Sequence, residues 1–82
     1  MLIDIVRAVH QQDYKIKLIF ENNDEGIVDF REYLTKGGIF DVLADKEYFL
    51  KFHVNKDLGT ICWPNGLDIA PETLYQKMKK SN

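Results

Sequence analysis

His53 and Cys62 are the two residues of this chain best suited by type to do chemistry. An imidazole beside a thiol can take its proton and leave a nucleophile. The two lie on stretches expected to be adjacent strands, so they would meet only if they faced each other. No third group that would orient the imidazole is evident. Cys62 also lies in the apolar run Thr60-Ile61-Cys62-Trp63, which favours a buried structural cysteine. His10 and His53 are too far apart for a local metal motif, and no Cys-x₂-Cys or His-x₃-His spacing occurs. No metal and no cofactor are expected.

The acidic residues offer less. Glu21, Asp24 and Glu25 fall in a loop that reads as a solvated hairpin tip. The alternating ligands and sixth-position glycine of a calcium loop are missing. Asp29, Asp41, Asp45 and Asp68 give no ground for a catalytic carboxylate pair. Gly37-Gly38 is a lone glycine pair and not a phosphate cradle. With no catalytic constellation, the chain is not expected to be an enzyme.

The most specified stretch is Trp63-Pro64-Asn65-Gly66-Leu67-Asp68-Ile69-Ala70-Pro71, with both prolines and the only tryptophan of the chain. Pro64 suits the first central position of a turn and Gly66 its exit. Pro71 suits the first position of a helix, where its missing N–H leaves nothing unpaired. Asp68 is expected to accept backbone N–H groups of the turn or the helix start, a structural role, with ligand binding as the alternative. Trp63 is either a core or rim anchor or an exposed interface residue.

The elements that must position these residues follow from the patterning. Ile3 to Val9 reads as a strand, Gln11-Gln12-Asp13 as a turn, and Tyr14 to Phe20 as a strand with Tyr14, Ile16, Leu18 and Phe20 on one face. After the acidic loop, Ile27 to Phe30 returns as a third strand, giving an antiparallel meander. Arg31 to Lys36 suits a short helix or 3₁₀ segment ended by glycine. Ile39, Phe40, Val42 and Leu43 suit a second helical turn, and Ala44 to Glu47 a polar break. Tyr48 to Asn55 is expected as a strand, Lys56 to Gly59 as its hairpin turn, and Thr60 to Trp63 as its partner, stopped by Pro64. Thr73 to Lys80 is expected as a helix with Leu74, Tyr75 and Met78 on one face. The fold class is therefore α+β: an antiparallel meander of about five short strands, short helical turns and a C-terminal helix, in one domain spanning residues 1–82.

Composition sets the outer bounds. A chain of 82 residues buries roughly 60–65% of its unfolded surface, enough for one modest core. Five Phe, four Tyr and one Trp supply much of it. The net charge of −2 argues against nucleic-acid binding by the chain alone, which needs a basic face. The basic cluster Lys77, Lys79 and Lys80 complements the end of a helix. The single cysteine suits a reducing compartment. No run reaches the ~20 apolar residues of a membrane span, and the start Met1-Leu2-Ile3-Asp4 lacks the basic region of a signal peptide. A cytoplasmic protein is expected. Apolar groups on both faces from Tyr48 to Val54 are expected to leave surface for self-association or a partner.

At Trp63 to Glu72, with Leu74-Tyr75 following, the chain resembles a family of small bacterial and phage domains, domain of unknown function 2442. Tyr14, Phe20, Val28-Asp29, Phe30, Tyr33-Leu34, Phe40, Leu43, Asp45 and Phe49 extend the resemblance over nearly the whole chain. It implies an α+β domain without established catalytic residues. It also implies a co-encoded small partner, in an arrangement like a toxin–antitoxin pair with this domain as the antitoxin. Some members are fused to a helix-turn-helix; this chain ends at Asn82 without one, so direct DNA contact is not expected. The reading is a protein-binding module with Trp63, Asn65, Asp68 and Tyr75 as the partner-binding residues. A small-ligand domain with a pocket between the Trp63 turn and the last helix, and a homo-oligomeric scaffold, are the alternatives.

Overall fold

The structure is a computed structural model that describes residues 3–80. Met1, Leu2, Ser81 and Asn82, with the side chain of Lys80 from the basic cluster, lie outside the described residues. In order come β1 (Ile5–Gln12), β2 (Lys15–Phe20) and β3 (Glu25–Asp29), two 3₁₀ segments (Phe30–Thr35 and Gly38–Ala44), α1 (Lys46–Phe49), β4 (His53–Asn55), β5 (Thr60–Cys62) and α2 (Pro71–Lys80). The α+β class is as expected. The five strands divide into an antiparallel meander β1-β2-β3 and a hairpin β4-β5.

β2 carries the period-two pattern to the letter: Ile16, Leu18 and Phe20 are fully buried and the residues between them half-exposed. It is the central strand, with Ile16 opposite His10 on β1 and opposite Val28 on β3. β1 begins and ends later than the Ile3 to Val9 expected. Its register shifts between His10 and Gln12, a bulge that leaves Gln11 without a partner and lets Gln12 pair with Lys15. The turn shrinks to Asp13-Tyr14, with Asp13 at φ 46°. β3 likewise starts at Glu25 and leaves Phe30 to the first 3₁₀ segment. Asp29 caps that segment, accepting from the Arg31 backbone N–H at 3.0 Å.

The main correction falls on Tyr48 to Asn55. Only its last part, His53–Asn55, is a strand, and Tyr48 and Phe49 close helix α1. The segment Ala44 to Glu47 is not a break: Ala44 ends the second 3₁₀ segment and Asp45 is the N-cap of α1, accepting from the Glu47 backbone N–H at 3.0 Å. One turn of helix aims Phe49 inward and leaves Leu50 half-exposed at 50%. An extended chain would carry successive apolar side chains to opposite faces, and here only one face is covered by the core. Phe49 becomes the hub, its ring 4.8 Å from Tyr14, 5.9 Å from Phe30 and 6.0 Å from Trp63.

α2 starts at Pro71, with Ala70 O accepting from Thr73 N and Leu74 N at 3.1 and 3.2 Å. Leu74 and Met78 are buried and Tyr75 is half-buried, as the spacing predicts. Met78 seats against β3 at Gly26, where a Cβ would strike its Cγ and Sδ. No helix among the described residues is long and apolar enough to cross a membrane.

Candidate functional site: the Trp63 turn and its neighbours

β5 runs directly into the turn. Gly66 N donates to Trp63 O at 3.0 Å, closing the four residues Trp63 to Gly66. Pro64 takes the first central position and Gly66 the exit. Gly66 sits at φ 90°, a left-handed geometry that suits glycine. Trp63 N then donates to Leu67 O at 2.9 Å, and Cys62 bridges Asp68 in antiparallel sense. A tight turn followed by a left-handed glycine is a three-residue hairpin loop. The strand β5 thus folds back on itself through 67–69, with Leu67 and Ile69 buried and Asp68 exposed between them.

The turn is held from three sides. Asn65 Oδ1 accepts from Leu67 N at 2.9 Å. Asn65 N donates to the Tyr48 hydroxyl at 2.8 Å. The Trp63 indole N–H donates to Phe49 O at 2.9 Å. Two of these supports come from Tyr48 and Phe49 of α1, residues expected in a strand. Tyr48 is the residue that reading the sequence missed. No local pattern marks it, since its partner lies 17 positions away. Behind the turn, the Thr60 hydroxyl donates to Ile69 O in a buried bond of 2.5 Å.

The four residues expected at the partner surface do not come together. Trp63 is only 1% exposed and is a core anchor. Asn65 is exposed but its side chain and backbone are both engaged in the turn. Asp68 is exposed, and its carboxylate takes none of the hydrogen bonds formed among the described residues; the turn-holding role expected of it belongs to Asn65. The reason is the extra residue Gly66, which places Asp68 beside Cys62 with its side chain outward. Tyr75 serves another site. Its hydroxyl donates to Asp24 Oδ2, its ring meets Phe20 edge-on at 5.0 Å, and Lys79 Nζ stands 5.4 Å from the ring centre. That hydroxyl, with Lys79 and Asn22 assisting, holds the Asp24 carboxyl below its ordinary range. Among the described residues no hydrogen bond or ring contact joins Tyr75 to Trp63, Asn65 or Asp68.

The hairpin register sets His53 opposite Cys62. The two side chains meet, Cys62 Sγ lying 3.1 Å from His53 Nε2. Cys62 is buried, as expected, yet it is not part of the contiguous apolar core, which takes Ile61 and Trp63 on either side of it. No group of three or more metal-ligating side chains occurs among the described residues. A cleft of about 430 Å³ is lined by Gln11, Gln12, Lys15, Ile27 and Asp29. It lies along the meander, apart from the Trp63 turn.

The family model described as Protein of unknown function (DUF2442) matches residues 5–80. The chain belongs to that family. In comparisons with curated proteins and with solved structures, nothing matches. The DUF2442 match runs from the first residue of β1 to the last of α2, so both sheets and the Trp63 hairpin are parts of one family domain. The family's description names no activity, and none is carried to these residues.

Proposed function

We propose that this domain is a non-enzymatic protein-binding module, the antitoxin-like half of a two-gene pair, which covers a functional surface of its co-encoded partner. The observation that carries the reading is the turn Pro64-Asn65-Gly66. It is exposed, yet its backbone is fixed by hydrogen bonds from Tyr48, Trp63 and the Asn65 side chain. A loop ordered before binding loses little further entropy on association, which raises affinity for a given contact area. Exposed Asp68 next to the turn adds a charge that selects the partner. Trp63 supports this surface from beneath, and Tyr75 fixes α2 to the β2–β3 loop.

The test is capture of the neighbouring gene product by the tagged domain, both at micromolar concentration. A stable complex is expected. It should weaken at least about tenfold for the pair Pro64→Ala and Asp68→Lys, since tenfold is about 1.4 kcal/mol and the few residues that dominate an interface cost about 2 kcal/mol or more. Absence of any complex with the folded domain refutes the proposal. A complex indifferent to both substitutions moves the contact surface away from the turn.

A further inference from the structure

The Cys62–His53 pair is not used by the partner-binding reading, and its two side chains meet at 3.1 Å. Three chain segments lie side by side here: β4, β5 and the returning segment 67–69. In an antiparallel ladder, paired residues project to the same face. His53 pairs with Cys62, and Cys62 bridges Asp68. One row across one face therefore reads imidazole, thiol, carboxylate. The flanking residues on β5 confirm the two faces. Ile61 points into the apolar core, and Cys62 points away from it. Cys62 is 5% exposed, while His53 and Asp68 are exposed. The sulfur thus lies just under the surface, capped by an imidazole with open access to water.

We propose that Cys62 is a reversible thiol-modification site, activated by His53 and selective for small neutral or cationic disulfides. The reaction is thiol–disulfide exchange. The Cys62 proton passes to His53 Nε2 as Sγ attacks one sulfur of the incoming disulfide. A new S–S bond forms, the reagent's S–S bond breaks, and the departing thiolate takes the proton back from His53. Cys62 is oxidised to a mixed disulfide and half of the reagent is reduced to thiol. His53 can act in the tautomer that leaves Nε2 unprotonated, because Nε2 is 3.1 Å from Sγ. Asp68 sets the selectivity. A carboxylate next in the row repels an anionic reagent and attracts a cationic one at close range.

The experiment follows mixed-disulfide formation on the folded full chain by intact mass. The reagents are cystamine, a dication, and dithiodiglycolate, a dianion. Cystamine is expected to react faster, and Asp68→Asn should shrink the ratio of the two rates severalfold. His53→Gln and His53→Ala should each slow cystamine at least about tenfold, a floor below the roughly 100-fold that a positioned base commonly contributes. Equal or faster reaction in both variants would mean that His53 is only a lid, and overturns the proposal. A distant core variant, Ile16→Val on β2, separates reaction of the folded state from reaction through unfolding. The rate should not change with it. A rise in step with lost stability, or a thiol that reacts only in urea, also overturns the proposal.

Discussion

The indole of Trp63 and the backbone of Phe49 are joined by a buried hydrogen bond of 2.9 Å across 14 positions of sequence. The same two residues pack ring to ring with centroids 6.0 Å apart. This contact fastens the hairpin that bears the exposed turn to the one-turn helix α1.

Trp63→Ala should destabilise the domain by about 3–5 kcal/mol, the usual cost of emptying a buried aromatic site. Trp63→Phe retains ring packing but removes the donor to Phe49 O. That carbonyl keeps a long bond from Phe52 N at 3.4 Å, so the loss should be about 1–3 kcal/mol. Urea unfolding followed by far-ultraviolet circular dichroism measures both. Near-zero loss for Trp63→Ala would contradict the anchor role.

Asn65 and Asp68 should separate sharply. Asn65→Ala removes the acceptor of Leu67 N and should lower stability by about 0.5–1.5 kcal/mol. Asp68→Asn should stay within about 0.5 kcal/mol of the parent, as for exposed positions without partners. The reverse order in the urea midpoints would return the turn-holding role to Asp68.

Gly26→Ala should cost about 1–3 kcal/mol, because the new methyl group overlaps the Met78 side chain where α2 crosses β3. Shortening the neighbour should relieve the overlap. The double variant with Met78→Val is therefore expected to lose less than the sum of the two single losses. Additive losses would show that the two positions do not compete for the same space.

Acid should weaken the fold through Asp24 and Asp29. The Tyr75 hydroxyl holds Asp24 below its ordinary value of 3.8, and the Arg31 guanidinium does the same for Asp29. A carboxyl whose folded value is depressed contributes stability that is fully present above its unfolded value. That contribution is lost as pH falls through the lower folded value. Stability should therefore decline from about pH 4 downward. Tyr75→Phe should flatten the decline, read as the slope of unfolding free energy against pH. An unchanged slope would remove Asp24 from the account.

Local chemistry made much of the fold legible. The alternation in Tyr14 to Phe20 marks the central strand, because one side chain in two must be dry. Pro64 and Gly66 fix the turn, and Pro71 fixes the helix start, because each restricts or frees the backbone at its own position. Leu74, Tyr75 and Met78 declare the buried face of α2 by spacing alone. The same reasoning failed at Tyr48 to Phe52, where a run of large apolar residues suits either extended or helical backbone. The Asp45 cap and the ring contacts of Phe49 decided for helix.

The sequence by itself determined which face of the central strand is apolar, where the chain turns at Pro64 to Gly66, and where the last helix starts. Only the tertiary structure decided which side chains come together. It placed Trp63 in the core, gave the turn to Asn65 and Tyr48 and not to Asp68, tied Tyr75 to Asp24, and set His53 against Cys62. Those pairings depend on strand register and on contacts 9 to 51 positions apart. Periodicity and propensity act over a few neighbouring residues, and a shift of one residue in the β4–β5 register would take His53 away from Cys62.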